Sequence, residues 1–391
     1  LQYFDFNSYF TSVNHSMGTE NRSMVSDVKS STYGARGELK FRWKRNFLFS
    51  GLDYKREQAE NTGMVMSSMM MPRDGSSWQN SEIQQWGWFN EYQYRWNATK
   101  LTASFRLDHN TAEAKELSQL FRTLYGDAKA AQTNFSASVG VAHEFSKNSQ
   151  VALWVGRAQR SGSLTERYIN LFAVGTDAYE ILGNPKIKPE TNTQSDLIYT
   201  YTGKNIYFQT TVFYAYLQDY ISGVIRPDIK PYSMQSPGVR QIQNLAKAMK
   251  SGAEARLNWQ FLPQTRTELA LAYTYAKDLD THQPLPEIAP LRFQWKLETN
   301  ISLFLVGLNY HYSAKQNRIN TNFGEFVTPE FSVFDWYARY TVFKNAQLTF
   351  EMNNIFNRAY AEHLTRTLSD ANNQRIMERG RNFSFGFGYS F

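Results

Sequence analysis

The sequence predicts an all-β fold, a transmembrane antiparallel β-barrel, and three observations carry that prediction. First, the C-terminal segment alternates Phe383, Phe385, Phe387, Tyr389 and Phe391 with Ser384, Gly386, Gly388 and Ser390. Side chains on a strand point alternately to opposite faces, so this strand has an aromatic face suited to lipid and a small, polar face suited to water. Second, the chain is 16% aromatic yet hydrophilic on average, with a mean hydropathy of −0.54. A spanning strand of about 9–11 residues hides its apolar face in alternation, whereas a spanning helix needs a run of about 18 apolar residues, and the sequence has none. Third, the connections between strands alternate strictly in length.

Alternation along the 391 residues gives about sixteen strands. Tight polar turns are expected near Arg45-Asn46, Asn97-Ala98-Thr99, Lys147-Asn148-Ser149, Gly203-Lys204-Asn205, Leu262-Pro263-Gln264, Thr299-Asn300 and Lys344-Asn345-Ala346. Long loops are expected over Ser16 to Ser30, Gln58 to Ser81, Asn110 to Ala131, Gly162 to Thr191, Pro227 to Gly238, Asp278 to Pro290, Lys315 to Ser332 and Asn357 to Gly380. Short turns on one side and long loops on the other are the outer-membrane pattern, with the turns and the C-terminus in the periplasm. Within single strands the faces divide cleanly. Tyr33, Ala35, Gly37, Leu39, Phe41 and Trp43 share one face, while Thr32, Gly34, Arg36, Glu38, Lys40 and Arg42 share the other. Trp86, Trp88, Tyr92, Tyr94 and Trp96 alternate in the same way with Gln85, Gly87, Glu91, Gln93 and Arg95, and their Trp and Tyr suit interfacial girdles. A soluble sandwich instead predicts a Val, Ile and Leu core face and turn signals every 8–12 residues or so.

Composition removes other classes. With no Cys, neither a disulfide nor a thiolate metal site forms within the chain. The net charge of +7 is spread along strands and turns without a basic run, which argues against nucleic acid as a partner. No nucleophile elbow, phosphate loop or zinc-protease motif is present, so the expectation is that the chain is not an enzyme. Lumen-face charges such as Glu38, Arg42, Glu91, Arg95 and Glu254 are expected to form a hydrated ladder. His109, His143, His282 and His311 read as lumen or interface groups. His363, beside Glu362, reads as a structural hydrogen-bonding group.

Several segments resemble a known family. LGNPKIKPET over Leu182 to Thr191, Gln243 to Ala248 followed by Gly252-Ala253-Glu254, and Asn353 to Tyr360 (NNIFNRAY) are similar to motifs of TonB-dependent outer-membrane receptors, and the terminal Phe391 resembles the C-terminal signature of bacterial outer-membrane barrels. The resemblance implies a barrel of about twenty-two strands filled by an N-terminal plug. It also implies coupling through that plug to the TonB complex, and recognition by the barrel-assembly machinery at Phe391. On this reading residues 1–391 are the C-terminal part of the barrel, and the plug and the first strands are not present in it. The chain opens at Leu1 in mid-pattern, as processing or truncation would leave it. A self-closing porin-like channel and a structural partner in an outer-membrane assembly are the competing readings.

The loop from Gln58 to Ser81 contains Met64, Met66, Met69, Met70 and Met71, five of the chain's 11 methionines, and the preceding loop adds His15, Met17 and Met24. Thioether sulfur and imidazole suit copper, and thioether favours its reduced state. The competing reading is a Met-rich loop that packs adaptably over the barrel mouth. FTSVNHSM over Phe10 to Met17, PLPEIAPLR over Pro284 to Arg292 and YAEHLTR over Tyr360 to Arg366 resemble the copper-receptor branch of the same family. That resemblance implies a metal-binding role for one or more of the loop methionines, with copper as transported ligand rather than cofactor. Siderophore, haem and cobalamin are the alternative cargoes.

Overall fold

The computed structural model describes residues 3–19, 22–65, 76–172, 177, 179–232, 236–365 and 375–389, and for 3–19, 22–28 and 61–65 it describes the backbone course alone. Among the described residues the strands are β1 (Tyr3–Thr19), β2 (Arg22–Trp43), β3 (Asn46–Val65), β4 (Ser81–Trp96), β5 (Thr99–Ala114), β6 (Ala130–Glu144), β7 (Ser149–Arg160), β8 (Glu180–Leu182), β9 (Glu190–Thr202), β10 (Ile206–Arg226), β11 (Val239–Leu262), β12 (Thr265–Asp278), β13 (Arg292–Ile301), β14 (Phe304–Ser313), β15 (Phe331–Phe343), β16 (Ala346–Asn353) and β17 (Asn382–Tyr389). Two short helices, α1 (Gln119–Tyr125) and α2 (Leu164–Tyr168), lie in loops.

Antiparallel registers join the strands in chain order from β1 to β7, then β7 to β9, and onward to β17. The three-residue β8 instead pairs in parallel with Val239 to Gln241 at the start of β11. Seventeen strands less β8 leave sixteen in the wall, as the alternation predicts. Among the described residues no register joins β17 back to β1. No helix of the described residues is long and apolar enough to cross a membrane.

The faces divide as expected. Tyr33, Leu39, Phe41, Trp43, Trp86, Trp88, Tyr92 and Trp96 are all exposed on the outer surface, and on β17 Phe385 is 82% exposed. A face this apolar and this open matches lipid rather than water. Inward positions carry charge and glycine.

The turns are tight, and three of them contain a left-handed residue. Lys44, Asn97 and Ser302 each open a turn with φ of 49°, 52° and 55°. One turn differs from expectation. β13 and β14 meet at Ser302-Leu303, not at Thr299-Asn300, because Ile301 pairs with Phe304 and keeps Thr299 and Asn300 inside the ladder. The loops between β1 and β2 and between β3 and β4 are also shorter than expected, and β5 and β6 take both ends of the expected Asn110 to Ala131 loop. Much of Ser16 to Ser30 and all of Gln58 to Val65 are strand, because β1, β2 and β3 continue their mutual pairing beyond the span a membrane requires.

The long loops carry the rest of the structure. Ser118 caps α1 by accepting from Phe121 N, and α2 has a complete capping box between Ser163 and Glu166. Beneath α2, Ala59, Ile83, Ala112, Ala128, Leu164 and Tyr168 form a small core at the loop rim. Gly183, within the LGNPKIKPET segment, lies against the backbone of Arg167 and Tyr168, and its N–H donates to the Ile169 carbonyl at 2.7 Å.

Candidate functional site

The inner wall holds a ladder of ion pairs. Glu38 meets Arg36 at 2.6 Å and Lys40 at 3.4 Å, and Arg95 meets Glu144 at 2.6 Å. The densest node is one that sequence reading did not single out. Arg106 on β5 donates to both oxygens of Asp53 on β3, at 2.8 and 2.9 Å, and to Asp108 on its own strand. This fork passes over Gly87 of the intervening strand, where any Cβ would strike the guanidinium and Asp53. A bidentate pair reaching across a strand therefore requires glycine there. Arg42 lies over the Phe47 ring, and Glu91 accepts from Gln93.

At the loop rim four loops converge on a pocket lined by Asp177, Arg240, Glu287, Glu325, His363 and Arg375 among others. Its base is Arg240, whose side chain is buried where β11 meets β8. The guanidinium pairs with Asp177 at 2.7 Å, donates twice to the Phe323 carbonyl, and lies 3.9 Å from the Phe323 ring centre and 4.7 Å from that of Tyr179. Burial lowers its pKa to about 10. Burial likewise raises the Glu287 carboxyl, opposed by the Arg240 charge. Glu325 accepts from the backbone N–H of Glu287 at 2.6 Å and of Asn320 at 2.8 Å, and lies 3.6 Å from His363. The other ring nitrogen of His363 is 2.8 Å from the Thr328 hydroxyl, while Glu362 pairs with Arg292 at 2.5 Å. Both residues thus tie the last loop down, the structural role expected of His363.

Of the methionines expected to bind metal, Met17 and Met64 fall at the loop ends of β1 and β3. Met17 is the register partner of Ser26, and Ser26 that of Met64, so Met17 and Met64 occupy one row of the sheet two strands apart. At the usual strand spacing their backbones are about 9.5 Å apart. His15, the partner of Val28, is two positions from Met17. Met66, Met69, Met70 and Met71 lie outside the described residues, as does Phe391. Among the described residues no group of three or more His, Asp or Glu is arranged to hold a metal. His109 and His143 contact Thr133 and Thr99 hydroxyls, at 3.1 and 2.9 Å, and His311 faces Asp335 at 3.3 Å.

A wall of sixteen antiparallel strands with a lipid-suited exterior, a charged lumen and a cap of long loops is a receptor-type barrel. The profile of the TonB dependent receptor-like β-barrel family matches residues 1–355. The chain belongs to that family. A curated relative, the iron-regulated outer membrane virulence protein of Vibrio cholerae, is 25% identical over 228 residues, which is 54% of this chain and 32% of the relative. Among solved structures, the copper transporter OprC superposes with a TM-score of 0.83 at 22% identity, covering 99% of this chain and 62% of OprC. The FrpB iron transporter of Neisseria meningitidis gives 0.73 at 14% identity, and the ferric enterobactin receptor of Pseudomonas aeruginosa 0.68 at 15%, with 60% and 62% of those chains covered. At these identities the superpositions establish the receptor-barrel fold. The chain spans about a third of the Vibrio relative and three fifths of the solved receptors.

Proposed function

We propose that this receptor barrel captures copper, or a copper complex, at its loop rim for energy-coupled passage across the outer membrane. The observation that carries the reading is the sheet row holding Met17 and Met64, with His15 two positions away, at the base of the segment that contains Met66, Met69, Met70 and Met71. Thioether and imidazole donors brought to one edge of the mouth suit a soft, low-coordinate ion. In this reading the loop rim faces outward, and the turn rim and C-terminus lie in the periplasm. A plug and the first strands, outside residues 1–391, complete the barrel and couple it to the TonB complex, and Phe391 addresses the chain to the barrel-assembly machinery.

A second reading, uptake of iron or a siderophore, is favoured by the likeness to the FrpB iron transporter and the ferric enterobactin receptor, beside a Vibrio relative named as iron-regulated. Cuprous-ion titration of the full receptor separates the two. Replacing Met64, Met66, Met69, Met70 and Met71 together by Leu is expected to weaken binding at least about tenfold, since Leu keeps the volume and removes the donor. Unchanged cuprous affinity would sink the copper assignment, and ferric-siderophore binding by the same receptor would replace it.

A further inference from the structure

The outer surface of β11 and β12 carries a basic patch that capture of cargo leaves unused. Register fixes its face. Ala253 opposes Tyr273, Ser251 opposes Tyr275 and Met249 opposes Lys277, so Tyr273, Tyr275 and Lys277 share one side of the wall. Tyr273 is 43% exposed among the lipid-facing aromatics, which makes that side the exterior. Lys247 is on the same side, two positions loop-ward of Met249, and is exposed, and its carbonyl accepts from Leu279 N just past β12. Arg318 arrives from the loop after β14. Its guanidinium lies 3.7 Å from the Tyr275 ring centre, and it donates to the Ala276 carbonyl at 3.3 Å. Three cations therefore stand at the loop-ward border of the aromatic band, one of them fixed against a girdle tyrosine. Among the described residues none of the three forms an ion pair with an acid.

We infer that Lys247, Lys277 and Arg318 form a docking patch for the phosphate groups of an outer-leaflet glycolipid. The aromatic band below them fixes the depth of the acyl chains, since Tyr rings settle at the boundary between hydrocarbon and headgroup. Cations directly above that boundary meet the headgroup layer, where each is attracted to anionic lipid. The ring stacking and carbonyl contacts of Arg318 hold one guanidinium in place in advance, which lowers the ordering cost of binding. This inference rests on the loop rim facing the outer leaflet.

The test uses the full receptor, purified in detergent and stripped of lipid, titrated by native mass spectrometry with diphosphoryl lipid A and with its dephosphorylated counterpart. The wild type is expected to prefer the diphosphoryl lipid at least about tenfold. Replacing Lys247, Lys277 and Arg318 together by Gln abolishes that preference, and K277Q alone reduces it severalfold should the triple variant fail to fold by gel mobility. A wild type indifferent to phosphorylation, or a triple variant that keeps its preference, would overturn the patch. Competition by millimolar inorganic phosphate would equally overturn it, showing a simple anion site. Loss of the preference in a variant with Lys44 and Arg45 changed to Gln would overturn the orientation instead. Cuprous-ion affinity, read on the same samples, stays unchanged if the two sites are independent.

Discussion

The two rims of the barrel are built on different physics. At the turn rim each connection is a few residues long, and in three of them one left-handed residue, Lys44, Asn97 or Ser302, helps reverse the chain. Some of this rim's hydrogen bonds are local, as when the Asn46 amide donates to the Trp43 carbonyl at 3.3 Å, and others join neighbouring turns, as when the Asn148 amide donates to the Thr202 carbonyl at 2.8 Å. At the loop rim the connections are held by groups distant in sequence. Arg240 binds Asp177 across a separation of 63 residues and the Phe323 carbonyl across 83. Arg375 donates to the Phe326 and Val327 carbonyls, and the Tyr125 hydroxyl donates to the Gly183 carbonyl across 58. The turn rim is therefore fixed by tight reversals and bonds between neighbouring hairpins, while the loop rim is tied by side chains such as Arg240 that reach several loops at once. A capture surface gains from the second arrangement, since low-stability elements are the ones that move on binding.

The sharpest way to break this contrast is at Arg240. Its side chain is 5% exposed and that of Asp177 4%. Arg240→Met leaves a buried carboxylate without its partner, a change that costs about 3–5 kcal/mol when one member of a buried pair is removed. Rapid proteolytic cleavage near Asp177 and near Phe323 is expected, with the barrel still heat-resistant on gels. A variant with loops as protected as the wild type would show that the cap does not depend on this node. Replacing Asp177 by Asn together with R240M is expected to recover part of the loss, since the stranded charge is then gone.

How much of this was legible in the sequence follows the same division. The turns around Asn97, Gly203 and Lys344 could be read because their signal lies in the residues themselves. The β13–β14 turn was misplaced because Asn300 is the polar signal there, whereas the apolar Ile301 and Phe304 set the register. The extensions of β1, β2 and β3 carry no hydrophobic alternation, so their sequence predicts loop. Only pairing with neighbours reveals them. Arg240 carried no signal that set it apart from a lumen arginine, since its partners Asp177, Tyr179 and Phe323 are dispersed along the chain. Arg106 was equally hidden, although Gly87 inside an aromatic strand was a readable hint that something approaches the backbone closely. Within the metal reading, residue type was legible, but the row that joins Met17 to Met64 follows only from register.

A smaller effect is expected at Gly183, the contact between the LGNPKIKPET segment and α2. A Cβ there would stand 2.6 Å from the Arg167 carbonyl carbon and 2.7 Å from the Tyr168 nitrogen, both backbone atoms that cannot swing aside. Gly183→Ala must displace α2, at about 1–3 kcal/mol as for other overpacked sites. The displacement passes to Tyr168, whose hydroxyl donates to the Ala128 carbonyl at 2.8 Å. The measurement is hydrogen exchange over 163–170, which should accelerate, while exchange in the turn at 97–98 stays as it was. Acceleration at both rims would mean that the rims are coupled through the wall and are not independent.

The smallest effect tests the local rim alone. Asn97 holds φ at 52° in the β4–β5 turn, a conformation that asparagine tolerates and β-branched residues resist. Asn97→Val should cost about 1–2 kcal/mol, the penalty of the left-handed region for an ordinary side chain. Asn97→Gly should cost nothing or stabilise slightly, since glycine enters that region freely. Because the ladder between Trp96 and Thr99 closes this hairpin on its own, the loss should show as a lower urea midpoint with loop protection at Arg240 and Gly183 unchanged. If Asn97→Gly lost as much as Asn97→Val, handedness would not be what holds the turn. The side chain of Asn97 would then be the determinant, and the two rims would differ less than their geometry implies.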